Sequence, residues 1–417
     1  MTIRTWCSAA SLISLFAWCS LVEGSANVLP KGVFSFYTTY YHYGDIDSRY
    51  DPDGKKEDIA VNYNSELDSS VFPALAPLDP LVGGVASIGN SVVDFEFIYR
   101  WWEFGLDYGL TDNVSVGILI PVSYTKNRVR ASLDTSTANV GKNPVWETPS
   151  DPFGSPVIPI AFGGIPLETE DVQDLLGNGL DVNGNGTVDV PGFGYQRFDT
   201  YSSTQINDIE IAAKHKFYDS DVFRLAYAGG IRLPTGNIDD PDNLTSPGFG
   251  DGTTDLLLRF LADYKGLKNW LFSTSVAYDI QLPDDELRRI QNDVNEPLTV
   301  SKEVVDRDLG DVLEVDLVAN YSITSEWSTG LTYRYTAKSK DDIDGNLGLN
   351  YQSLEDETDS KSHMAILSVG YSTVDKYLAG KSSIPYSANL SYRNRFDGEN
   401  NVTDSYYVSL DFNLYFK

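Results

Sequence analysis

The strongest constraint on this chain is an alternation of side chains with period two that returns along its length. At the C-terminus Tyr406, Val408, Leu410, Phe412, Leu414 and Phe416 share one parity, while Ser409, Asp411 and Asn413 take the other. Successive side chains of a strand point to opposite faces, so this segment reads as a strand with one apolar and one polar face. An antiparallel strand over a soluble core gives the same pattern. Recurrence separates the two readings: eleven more such segments follow one another, many paired across tight polar turns. Examples are Ile209, Ile211 and Ala213 against Glu210 and Lys214, and Leu256, Leu258 and Phe260 against Asp255 and Arg259.

Connection lengths carry the argument further. Short links fall at 111–113, 219–221, 265–268, 324–326 and 374–382, and longer ones at 44–90, 127–203, 235–250, 283–309 and 341–360, with a brief 397–403 closing the set. Strict alternation of short and long is expected of a barrel with periplasmic turns on one rim and extracellular loops on the other. The expected fold is therefore all-β: an antiparallel transmembrane β-barrel of twelve strands, both termini on the periplasmic side. Arg4, the apolar run Ala9–Val22 and small Gly24-Ser25-Ala26 read as an export signal over residues 1–26, leaving the barrel at 27–417 in the outer membrane. After residue 26 no apolar run approaches the roughly 18 residues a membrane helix needs. Both cysteines, Cys7 and Cys19, lie in the signal. The net charge of −29 leaves no basic surplus for nucleic acid.

One stretch breaks phase. Phe95, Phe97, Tyr99 and Trp101 occupy one parity, Trp102, Phe104, Leu106 and Tyr108 the other. A bulge at Trp101-Trp102 would repair the register and is the preferred reading; the alternative places the first half outside the membrane.

Several short pieces resemble a known family. Tyr108-Gly109-Leu110-Thr111-Asp112-Asn113 with Pro121, Leu29-Pro30-Lys31-Gly32, Asn207-Asp208-Ile209 followed by Lys214-His215-Lys216, and Leu233-Pro234-Thr235-Gly236 are similar to segments of the bacterial outer-membrane family labelled MetA-pathway of phenol degradation. Where relatives often have Gly, this chain has Asn207. The resemblance implies a barrel distantly similar to outer-membrane transporters of fatty acids and aromatic hydrocarbons. It assigns no catalytic or substrate residue.

The chemistry-bearing residues point away from an enzyme. None of His42, His215 and His363 has a serine two positions on, as a barrel hydrolase would need, so barrel-wall roles are expected. The polar parity carries Glu210, Lys214, Arg224, Arg232, Asp255, Arg259, Asp263, Glu314, Asp316, Arg334, Arg393, Arg395 and Asp411. Such a mixed lumen either lines a water-filled pore or pairs internally and seals, and strand number does not choose between them. Asp181, Asn183, Asn185, Thr187 and Asp189 sit at positions 1, 3, 5, 7 and 9 of a calcium-type loop, with Gly186 at 6, but Gly192 stands where a bidentate Glu belongs. Ca2+ in loop 181–192 and a metal-free Asn/Gly turn are both open readings.

Two apolar stretches interrupt long polar loops. They contribute Phe72, Leu75 and Leu78, and Val157, Ile158, Ile160 and Phe162, which we expect to fold into the barrel mouth as a pocket for a hydrophobic substrate; packing on each other as a loop core is the alternative. The stretch between the signal and the first strand reads as too short for a plug, so any gate is expected from loops. The functional expectation is passive uptake of small hydrophobic or aromatic compounds. The alternatives are a general diffusion porin and a barrel that displays acidic loops. Expected partners are outer-membrane lipid, lipopolysaccharide and a small hydrophobic molecule. The sequence fixes no oligomeric state.

Overall fold

Hydrocarbon offers no hydrogen bonds, so a strand there needs a neighbour on both edges. The computed structural model, which describes residues 24–246, 250–292 and 297–417, meets that demand by closing a sheet on itself. Its strands are β1 Phe34–Tyr43, β2 Ser87–Gly109, β3 Val114–Asp134, β4 Ile209–Asp219, β5 Phe223–Leu233, β6 Asp255–Tyr264, β7 Trp270–Gln281, β8 Val312–Ser322, β9 Trp327–Lys338, β10 Ser360–Ser372, β11 Tyr386–Glu399 and β12 Tyr406–Phe416. Each is antiparallel to the next, and β12 returns to β1 with Phe34 opposite Phe416. The expected signal falls outside the described residues up to residue 23.

The outer face is mostly apolar. Leu258, Leu317, Leu331, Leu367, Leu390 and Leu410 all stand exposed, which only lipid makes favourable. Aromatic rings border that band. Near the periplasmic turns Phe34 lies 4.5 Å from Tyr108 and 5.5 Å from Phe416, Trp270 lies 4.9 Å from Tyr321 and Trp327 lies 4.9 Å from Tyr371. At the opposite rim Tyr40 lies 5.2 Å from Trp102. The three histidines join these girdles, each beside a tyrosine hydroxyl: His42 with Tyr40, His215 with Tyr227 and His363 with Tyr333.

The bulge expected at Trp101-Trp102 does not occur. β2 pairs with β3 in one unbroken register from Asn90 opposite Asp134 to Gly109 opposite Ser115. At 23 and 21 residues these strands are twice the roughly 9–11 residues that cross a bilayer, so their upper halves stand above it. There the inward side chains Phe95, Phe97, Tyr99 and Trp101 are buried beneath the loops, while Glu96 and Asp94 point outward to Arg128 and Arg130. Lower down the lipid takes Phe104 and Leu106, and the lumen takes Glu103, Gly105 and Asp107. The parity changes because the apolar surroundings move from inside to outside, while the strand runs on. Register shifts occur instead between Lys216 and Tyr218 and between His363 and Met364. The loops expected at 44–90 and 127–203 correspondingly give up their ends to β2 and β3.

Replacing Leu258 by Arg should cost about 2–4 kcal/mol, since it sets a charge in hydrocarbon near mid-strand. A lowered urea midpoint for the barrel refolded in vesicles is the measurement.

Candidate functional site

The upper halves of β2 and β3 form the back wall of an extracellular compartment. Tyr63, Phe72, Val93, Leu133, Leu176, Phe198 and Leu298 line a cavity of about 50 Å³ there. An apolar void that accepts a benzene ring is roughly 150 Å³, so a guest of that size must part the loops. Phe72 belongs to the lining; Leu75, Leu78 and Val157 are buried in the surrounding core, and Ile158 is also buried. The two apolar stretches touch one another through Val157–Pro159 and Pro73–Leu78. Ile160 is half-buried, and Phe162 is exposed, stacked 6.0 Å from Phe153 away from the cavity.

Aromatic side chains continue from this cavity down the inner wall. Tyr63 lies 4.9 Å from Phe95, which lies 6.0 Å from Phe97. Tyr99 lies 6.0 Å from Trp101 and 5.1 Å from Tyr43, and Tyr43 lies 4.2 Å from Tyr407, itself 6.0 Å from Tyr41. At the foot of the ladder Glu103 accepts from the Trp101 indole at 2.9 Å and from the Tyr41 hydroxyl at 3.2 Å. Gly105 lies under the Tyr37 ring, where a Cβ would come within 1.9 Å of it. Nothing in the period-two pattern marked β1 as aromatic on its lumen face, because its tyrosines occupy both parities.

Across the lumen the inward charges meet in pairs. Arg232 reaches Glu210 at 2.9 Å, Asp255 at 2.6 Å and Asp279 at 3.4 Å. Arg259 meets Glu314 at 2.9 Å, and Arg334 spans Glu314 at 3.1 Å and Asp316 at 2.8 Å. Arg224 meets Asp263 at 3.2 Å, and Asp411 accepts from Asn389 at 3.0 Å. Lys214 donates to the Ser25 carbonyl at 2.8 Å. The Arg393 guanidinium lies over the Tyr41 and Tyr407 rings at 5.2 and 5.7 Å, joining the charged side to the aromatic one. Asp279, Glu103 and Asp107 belong to this interior as well; the first is marked by its parity in β7, the other two only once the register of β2 is known.

Pro121, Asn207-Asp208 and Leu233–Gly236, from three of the family-like pieces, meet at one break in the wall. Pro121 has no N–H, and opposite it the chain interrupts its pairing with β3 at Asn207-Asp208, between Tyr201–Ile206 and β4. The Asn207 amide reaches the Pro121 carbonyl at 2.9 Å, Thr235 Oγ1 donates to the Asn207 carbonyl at 3.1 Å, and the Gly236 amide donates to Asp208 at 2.8 Å.

The loop from Asp181 folds as a chain of side-chain-to-backbone turns. Asp181 accepts from the amides of Gly184, Asn185 and Gly186, which hold its carboxyl below the usual range, the Gly186 bond most strongly. Asn183 and Asn185 accept from the amides of Asn185 and Thr187, and Asp189 from that of Val182. Both asparagine amide groups donate to Glu147, from a separate stretch, at 3.1 and 3.0 Å. Among the described residues no three His, Cys, Asp or Glu side chains are grouped to hold a metal.

Residues 157–356 match the family described as "Putative MetA-pathway of phenol degradation". Through that span the chain is similar to this family. The matched region holds the Asn207-Asp208 and Leu233–Gly236 pieces, while the Tyr108 hairpin lies before it. No curated protein matches the chain in sequence. Among solved structures, an outer membrane channel of Pseudomonas putida F1 superposes with a TM-score of 0.53 at 12% identity, covering 94% of this chain and 98% of its own. Looser likenesses are the Ralstonia pickettii toluene transporter TbuX (TM-score 0.36, 10% identity, 94% and 91% covered) and a FadL homologue of Pseudomonas aeruginosa (0.35, 10%, 95% and 96%). The fold is that of an outer-membrane β-barrel.

One acid of the extracellular loops should respond to pH. Burial, aided by Glu286 and opposed by Arg288, raises Asp239 from 3.8 to about 7. Its Oδ1 is closed off from solvent without a hydrogen-bond partner among the described residues. The folded loop then binds this proton more tightly than the unfolded chain does, so stability falls as pH rises from about 4 to about 7. Asp239→Asn should flatten that slope, seen as amide protection factors around Ile238 that no longer fall with rising pH.

Proposed function

We propose that this protein is a passive channel for small hydrophobic or aromatic compounds, taken up at the loop cavity and passed along the aromatic ladder. The observation that carries the reading is the run of buried rings from Tyr63 through Phe95, Phe97, Tyr99 and Tyr43 to Tyr41. Rings spaced this way offer a guest a sequence of equivalent apolar contacts with no deep trap between them. The ladder faces charges that are already paired, so an apolar solute passing there strips no ion of its partner. The P. putida structure is that of an outer membrane channel, which agrees with passage through such a barrel. The diffusion-porin alternative calls for unpaired charges and a wide water path, which the buried pairs oppose. A barrel serving only to display its loops would have no use for rings so far below them.

Phe97→Asp sets a charge midway along the ladder. We expect uptake of a monoaromatic solute into vesicles carrying the refolded protein to fall about tenfold, which corresponds to ~1.4 kcal/mol at one step. Unchanged uptake in a folded variant counts against the ladder. Deleting residues 71–78 should also lower uptake without abolishing insertion.

Calcium belongs to the same proposal as a brace for the loop. Asp181, Asn183, Asn185, the Thr187 carbonyl and Asp189 would supply oxygens, and Glu147 the carboxylate that position 192 lacks. Terbium luminescence should saturate in the native protein and weaken in Glu147→Gln. Equal signal in both would remove Glu147 from the site.

A further inference from the structure

The chain just before β1 does something its length did not suggest. Ser25 and Ala26 lie inside the barrel near the periplasmic turns, far from β1 in strand order, against β6 and β4. The Ala26 amide donates to both oxygens of Asp263 at 3.1 Å, and the Ser25 hydroxyl donates to the same carboxylate at 2.9 Å. Lys214 holds the Ser25 carbonyl. The Leu29 amide donates to Ser115 of β3 at 2.9 Å, and the Lys31 amide to Asp112 at 3.1 Å. Gly109 admits the crossing, since a Cβ there would lie 2.1 Å from the Pro30 carbonyl oxygen. Ala26 is wholly buried, Val28 nearly so, and Asn27 between them is exposed.

We propose that residues 25–31 form a strap across the periplasmic end of the lumen, latched on Asp263, and that export processing cuts after Gly24 so that Ser25 heads the mature chain. Hydrolysis of the Gly24–Ser25 bond puts the water oxygen on the Gly24 carbonyl carbon as a carboxylate and leaves an ammonium on Ser25. That ammonium then belongs to the residue whose hydroxyl already touches Asp263. Val22 and Gly24 occupy the positions where the processing enzyme wants compact side chains. Cleavage after Ala26 satisfies that preference too, but it discards both latch residues. It would strip the buried Asp263 of its strap donors and Lys214 of this acceptor, leaving Ser273 and Arg224 as the partners of Asp263. The strap would set a gate at the periplasmic end, where the expectation placed any gate in the loops. It depends on the barrel and its export, and is independent of what the ladder carries.

N-terminal sequencing of the protein extracted from the outer membrane gives the first test. A start at Ser25 is expected, and a start at Asn27 overturns the proposal. Cysteine labelling gives the second, because Cys7 and Cys19 lie upstream of either cut. Ala26→Cys should react with a hydrophilic maleimide many times more slowly than Asn27→Cys, and Asp263→Asn should bring the two rates together. Equal rates without that change overturn the strap. Ala26→Pro removes the latching N–H and leaves the wall untouched, so it covers the case in which Asp263→Asn fails to fold. Single-channel conductance of Ala26→Pro should rise several-fold over the parent, and an unchanged conductance overturns the gating role. None of these readouts uses an aromatic solute, so failed uptake would leave the strap standing.

Discussion

Everything here depends on the seam between β1 and β12. Ten residue pairs, from Phe34 with Phe416 to Tyr43 with Tyr407, join the two ends of the chain. Without them two strand edges would hold unpaired amides and carbonyls in hydrocarbon, at several kcal/mol for each group. Closure lets every other side chain be chosen for its neighbours. It also fixes the inside surface, because once β1 and β12 are joined, Tyr41 and Tyr407 must meet Arg393 across a confined space.

Inside, the barrel divides into two halves with different chemistry. One wall, built from β1, β2 and β12, is aromatic; the other, from β4 through β9, is ionic and internally neutralised. Arg232 alone touches three carboxylates, and such a knot is costly to break from one side, since a lone charge would remain in a low dielectric. The charged wall therefore behaves as a rigid backing, and freedom to rearrange lies with the loops and the strap.

Much of the barrel was legible from the chain because lipid is a uniform solvent that imposes one rule on each strand. Val408, Leu410 and Phe412 obey it visibly, and so do the loop lengths. β2 hid its nature because it serves two solvents in turn, and Phe95 and Phe104 are both correct for their own level. Pairing was harder still. That Arg259 meets Glu314 follows from the side-by-side positions of β6, β7 and β8, which a linear reading cannot align. The apolar stretches at 71–78 and 156–162 announced a loop core, yet not that Phe162 would face away from it. Residues 25–31 are too few to suggest a crossing, yet an extended chain covers about 3.3 Å per residue, enough to carry them under the lumen.

The two-storey build of β2 also bears on how such a sequence can vary over time. A single residue added between Phe97 and Trp101 would send Phe95 into water and Glu96 into the loop core, while every residue below kept its place. The same insertion in 69–86, which holds no strand, would disturb no register. Length change is thus expected to accumulate in the loops, and the upper part of β2 to diverge only by exchange of one side chain for another.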